Sequence, residues 1–282
     1  MMSSYPPETN RPDAVPPGGL AHPPMARPIA ADASVGTVVS DPMLLREVGR
    51  WACLLDAAGF VLGVFASQLL GAVIAEIVAP SVEGGDSRYQ EVGAVVGSGV
   101  FAVALAVAIT KRRGLRLACL GLTGTAPWVN VAVGFAATVA TFVMFWFGCL
   151  VVFLFWPAGF EELVNNPQKI LERLPPMGPV ALVGFTAVVG IWEEVAFRGF
   201  LLPRLRRMTR SWIAAVLLSS AFFALPHVIM QAGAIVIPLF FIAILWCTVT
   251  IWRRSLIPAV IAHFFLNIIN LLWMTANAPE WQ

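Results

Sequence analysis

Trp192-Glu193-Glu194-Val195-Ala196-Phe197-Arg198 places two carboxylates and a guanidinium inside an apolar run covering about residues 178 to 202. A run of about 20 apolar residues is what a helix needs to cross the hydrocarbon of a bilayer. Ionisable groups at that depth are costly, so they mark a functional site by default.

The rest of the chain has the same character. Of its 282 residues 59% are hydrophobic and 12% charged, with a mean hydropathy of +0.81; a soluble domain carries roughly 25% charged residues. The composition predicts an all-α polytopic membrane protein whose main partner is the lipid bilayer. A formal net charge of +2 supplies no basic surface for a nucleic acid, so none is expected as a partner. Cys53, Cys119, Cys149 and Cys247 each fall in an apolar run, without a CxxC or Cys/His cluster, and read as small buried hydrophobes.

Apolar runs of spanning length occur at about 52 to 78, 92 to 110, 128 to 156, 178 to 202, 211 to 230, 233 to 251 and 255 to 275, predicting seven transmembrane helices around an intramembrane cavity. Lys and Arg cluster at alternate connections: Arg46 and Arg50; Lys111, Arg112, Arg113 and Arg116; Arg204, Arg206, Arg207 and Arg210; Arg253 and Arg254. The intervening connections are neutral or acidic, as with Glu83, Asp86 and Glu91, or Glu161, Glu162 and Glu172. The excess of basic residues on cytoplasmic loops then predicts a cytoplasmic N-terminus and an external C-terminus.

Residues 1 to 45 are expected to form a disordered cytoplasmic tail, because nine of the 21 prolines lie within the first 42 positions and no helical or alternating period is present. This tail also lacks the basic start and apolar core of a secretory signal. Residues 46–160 hold the first three spans and 161–177 an extracytoplasmic connection. Overlapping it, Phe160 to Leu174 has Leu163, Ile170 and Leu174 at helical spacing and reads as a short amphipathic helix at the interface, with a substrate gate as a further role. The catalytic core is placed at 178–275, followed by a short tail over 276–282.

Within the spans, Glu193, Glu194 and Arg198 in the fourth are joined by His227 in the fifth and by His263 and Asn267 in the seventh. Asp56 and Glu76 lie near the ends of the first span, where headgroups are in reach, and read as structural or interfacial. Two histidines, a Glu pair and an Asn are hard to explain as packing, since lipid supplies no hydrogen-bond partners. Glu194 and Arg198 are four residues apart and share a helix face, which favours an ion pair. Glu193 is turned about 100° away and has a different role. His263 and Asn267 are also an i, i+4 pair and can donate to one ligand atom.

Such a set supports peptide hydrolysis without a nucleophilic side chain. Glu193 and His227 would activate a water that attacks the scissile carbonyl, while His263 and Asn267 stabilise the developing oxyanion and Arg198 holds Glu194. No metal is required by this arrangement.

The three motifs Glu193-Glu194-x-x-x-Arg198, Phe223-x-x-x-His227 and His263-x-x-x-Asn267 occur complete and in order. In this the chain resembles the CAAX prenyl endopeptidase and bacteriocin-processing (CPBP, or Abi) family over about residues 178 to 275. The resemblance implies an intramembrane endopeptidase with a cavity open towards the cytoplasm and the lipid, in a prokaryotic cell membrane. Its substrate would be a peptide or membrane protein, in the eukaryotic relatives a tail with a prenylated Cys. The first three spans and the proline-rich tail carry no part of the resemblance.

Other readings use the same residues. Glu193, His227 and His263 could ligate zinc, although no HExxH is present. A proton-coupled transporter could use them as a relay, but the chain shows no internal repeat. An inactive immunity or binding protein could keep the pocket to hold a peptide.

Overall fold

The computed structural model describes Met43 and residues 45–78, 88–123 and 125–278. The first 42 positions, with Glu83 and Asp86, lie outside the described residues. Among the latter there is no strand.

Helices α1 (Arg50–Val78) and α2 (Arg88–Arg112) pack side by side, and α3 (Pro127–Phe155) follows a 3-10 turn at Leu117–Leu120. Two short helices, α4 (Pro157–Val164) and α5 (Asn166–Arg173), make the next connection. The fourth span is one continuous helix in three parts: α6 (Pro179–Glu194), a π-helical segment Val195–Leu201, and α7 (Leu202–Thr209). Then come α8 (Trp212–Ala224), a single turn α9 (His227–Met230), α10 (Val236–Arg253) and α11 (Ile257–Ala276). Proline opens α3, α4 and α6 and stands second in α5 and α11, positions whose N–H has no partner inside a helix.

Six of these helices are long and apolar enough to cross a membrane, and α8 is a shorter apolar one. The protein is an integral membrane protein of all-α fold. The fifth expected span is the point of difference. It ends after 13 residues, ~20 Å of rise, because Pro226 cannot supply the next N–H and its ring crowds the preceding turn. The connection read as one amphipathic helix is likewise two, interrupted at Asn165 ahead of Pro167. Met43 and Leu45, read as the end of the tail, are buried.

Helix directions sort the bundle into two ends. At one, Arg50 donates from Nε and Nη2 to the Met208 carbonyl, and Arg207 Nε donates to the Val48 carbonyl. Nearby, the buried Asp56 accepts from Arg113 at 2.7 Å and faces Arg204 Nε at 3.6 Å. Leu256 N–H donates to the Gly121 carbonyl and Arg253 to Asn130, so the α10–α11 turn and the start of α3 share this end. All four basic clusters therefore gather here, although Arg204 is drawn inside, its guanidinium 3.4 Å from the Phe200 ring centroid.

The other end is built from the start of α2, α4, α5, the 231–235 turn and the last turns of α11. Asn166 ties it together, donating to Gln231 Oε1 at 3.2 Å and accepting from Ala232 N–H at 2.8 Å. Glu162 accepts from Ala234 N–H, and Arg173 faces Glu91 at 3.8 Å.

Candidate active site

The fourth span brings its polar residues to the middle of the bundle through its helical geometry. Successive residues are turned by about 100°, so Glu194 points into the packed interior, fully buried, while Glu193 is partly exposed and lines a cavity. Arg198, one turn later and also fully buried, meets Glu194 Oε1 at 3.0 Å. The expected i, i+4 ion pair is present.

The helix widens to π geometry immediately after the Glu pair, a local change that is rare and often found at functional sites. Gly199 lies within it against the 3-10 turn. A Cβ there would stand 2.6 Å from the Leu120 carbonyl oxygen, so this close approach requires glycine.

His263 comes from α11 and lies between the two carboxylates. Its Nδ1 donates to Glu194 Oε1 at 2.9 Å, and its Nε2 faces Glu193 Oε2 at 3.6 Å. One oxygen of Glu194 thus serves both Arg198 and His263. The imidazole is also stacked on Trp246 of α10, with centroids 4.4 Å apart and 25° between planes. Trp246 is itself fixed by donating its indole N–H to Thr141 Oγ1 at 2.9 Å, and that hydroxyl donates to the Ala137 carbonyl at 2.8 Å.

His227 follows the break in α8. Its Nδ1 donates to the Phe223 carbonyl at 2.9 Å, capping a carbonyl that the interrupted helix leaves without a backbone partner. A carbonyl can only accept, so Nδ1 carries the proton and Nε2 of the neutral ring is left as an acceptor. The Phe223 ring lies 5.2 Å from His227 and 5.9 Å from His263, with the Arg198 guanidinium 4.3 Å from its centroid. Phe223 is therefore the shared wall of the site, which gives the Phe-x-x-x-His spacing a geometric meaning.

Glu193, His227, His263 and Asn267 all line one cavity of about 1110 Å³. Its wall is mainly apolar, with Val64, Phe65, Val189 and Leu239 among the lining residues and Gln68, Asn166, Gln231 and Asn270 as scattered polar groups. Leu163, Ile170 and Leu174 of the amphipathic connection also line it. The seven motif residues are thus gathered in one place, with Glu194 and Arg198 behind the wall. Among the described residues no group of three His, Cys, Asp or Glu side chains is arranged to hold a metal ion. The four cysteines are buried thiols.

Three contributors to the site carry no mark in the sequence. Trp246 and Thr141 sit on helices without a motif, and nothing in their spacing marks them. The bond from His263 to Glu194 crosses 69 positions and depends on how α11 packs against α6.

The fold and this cluster define a helical membrane protein with an intramembrane site of the carboxylate-imidazole type. Residues 175–269 match the family model described as type II CAAX prenyl endopeptidase Rce1-like. This stretch, about a third of the chain, runs from just before α6 into α11 and contains all three motifs. This stretch is thus similar to the Rce1-like family, which is one of proteases. No curated protein and no solved structure matches the chain.

Proposed function

We propose that the protein is an intramembrane endopeptidase that hydrolyses peptide bonds with a water activated by Glu193 and His227. The observation that carries this reading is the convergence of Glu193, His227, His263 and Asn267 on one cavity. In the reaction, a carboxylate oxygen of Glu193 takes a proton from water as its oxygen adds to the scissile carbonyl carbon. His227, with Nε2 as acceptor, orders that water. The carbonyl oxygen gains negative charge and is met by N–H groups of His263 and Asn267. The proton then passes to the leaving nitrogen as the C–N bond breaks, giving a carboxylic acid and an amine, which exchange the remaining proton to leave as carboxylate and ammonium.

For that role His263 donates from Nε2 while Nδ1 remains on Glu194. Arg198 balances the charge of Glu194, which His263 also contacts. Glu194, Arg198, Trp246 and Thr141 act through His263 and are positioning residues. The substrate is a peptide or membrane protein, with a lipid modification accommodated by the apolar wall. Activity follows from these side chains without a bound metal.

The test is a comparison of membrane-protein termini in cells carrying the wild type or Glu193→Gln. A new terminus present only with the wild type supports hydrolysis; identical termini in both, with both proteins expressed equally, contradict it.

A further inference from the structure

A peptide drawn into an apolar cavity brings main-chain N–H and C=O groups that lipid and hydrocarbon side chains cannot satisfy. On the endopeptidase reading the scissile unit meets Glu193, His227, His263 and Asn267, and the peptide units beside it need partners of their own. Among the described residues, the side-chain amides that line the cavity are of two kinds. Asn166 and Gln231 are occupied with each other, at 3.2 Å. Gln68, Asn267 and Asn270 have no hydrogen-bond partner.

Asn270 is placed by the same helix as two of the motif residues. His263, Asn267 and Asn270 stand at i, i+4 and i+7 of α11, and all three line the cavity. At about 100° and 1.5 Å per residue, they fall within ~60° of arc and Asn270 lies ~4.5 Å beyond Asn267 along the axis. An extended chain advances ~3.3 Å per residue. With Asn267 on the scissile carbonyl, Asn270 is therefore level with a peptide unit one or two residues away.

Other polar side chains of the spans are used within the protein. Thr138, Thr141 and Thr186 each donate to the carbonyl four residues back in their own helix. Asn130 accepts from Arg253 and donates to the Thr125 carbonyl. Asn270 has no such use, and a carboxamide in a mainly apolar wall is costly unless something binds it.

We propose that Asn270 is a substrate-binding residue whose carboxamide holds the main chain of an extended polypeptide one or two residues from the bond that is cut. A carboxamide both donates and accepts, so it matches the C=O and N–H of a peptide unit whatever side chain that unit carries. Those groups are already paired in a helix, so the substrate is bound unwound. The stripe of His263, Asn267 and Asn270 then runs from the reacting carbonyl along the substrate backbone. This role rests on the endopeptidase reading.

The test uses a synthetic peptide spanning a terminus that the wild type produces and Glu193→Gln does not, cleaved by the purified full chain in detergent. Asn270→Leu, close in size, is expected to raise KM about tenfold, the worth of one hydrogen bond. Its kcat should stay within about twofold, and its unfolding midpoint should not fall. Asn270→Gln, which keeps the carboxamide, is expected to recover part of the loss. In further peptides an ester replaces, one at a time, the two peptide bonds on either side of the scissile one, removing the N–H and weakening the carbonyl as an acceptor. One of these esters is expected to raise KM about tenfold with the wild type and to have no such effect with Asn270→Leu. An unchanged KM in Asn270→Leu, or esters that weaken both proteins equally, overturns the proposal and leaves the endopeptidase reading standing. A lowered midpoint with loss of activity in both Asn270→Leu and Asn270→Gln overturns it too, by giving Asn270 a role in the fold. Absence of any terminus that depends on Glu193 overturns the endopeptidase reading, and the role of Asn270 with it.

Discussion

His263 donates through Nδ1 to the same Glu194 oxygen that receives Arg198, at 2.9 and 3.0 Å, so one buried carboxylate orients the imidazole and neutralises the guanidinium. The second carboxylate of the pair, Glu193, is left facing the cavity. Adjacent residues of identical chemistry are separated into two roles by one helical step.

Removing one member of the buried pair leaves the other charge without compensation. Glu194→Gln or Arg198→Met is expected to cost about 3 to 5 kcal/mol of stability, read as a lower unfolding midpoint in detergent. The double variant Glu194→Gln/Arg198→Met should recover most of that stability and remain inactive, because His263 has lost its charged partner. Recovery of activity in the double variant would show that Glu194 does not act on His263.

Trp246 fixes the plane of His263 by stacking. Trp246→Ala opens a cavity in the core and is expected to cost about 3 to 5 kcal/mol. Trp246→Phe keeps an aromatic face and should retain more activity than Trp246→Leu at similar folded yield. Thr141→Val leaves the indole N–H without its acceptor and should cost about 1 to 3 kcal/mol, measured by thermal unfolding.

Gly199→Ala is expected to destabilise the fold by about 1 to 3 kcal/mol. The new Cβ would stand 2.6 Å from the Leu120 carbonyl oxygen, a backbone atom with little room to move. A wild-type unfolding midpoint in this variant would contradict the close packing of the π-helical segment on the 3-10 turn.

A metal-free mechanism predicts that chelators leave cleavage unchanged. Loss of cleavage by purified protein in a chelator, restored by zinc, would instead assign Glu193, His227 and His263 as ligands.

Much of the site was legible from local spacing. The Glu194 and Arg198 pair follows from the i, i+4 rule, and the opposite facing of Glu193 from the 100° step. Six long apolar helices were equally legible, since their period matters less than their length. What spacing cannot show is contact between distant helices. The stack of His263 on Trp246 and its bond to Glu194 depend on how α10, α11 and α6 meet. Nor does an apolar run of spanning length show where its helix stops: Pro226 ends α8, and the Phe223 carbonyl in its last turn orients His227.

The central claim is that Glu193 activates the hydrolytic water. It is tested most directly by comparing membrane-protein termini in cells that carry the wild type, Glu193→Gln or the exposed α5 variant Lys169→Gln at equal expression. The account predicts termini produced by the wild type and Lys169→Gln and absent with Glu193→Gln; the same termini at wild-type levels in the Glu193→Gln cells would contradict it.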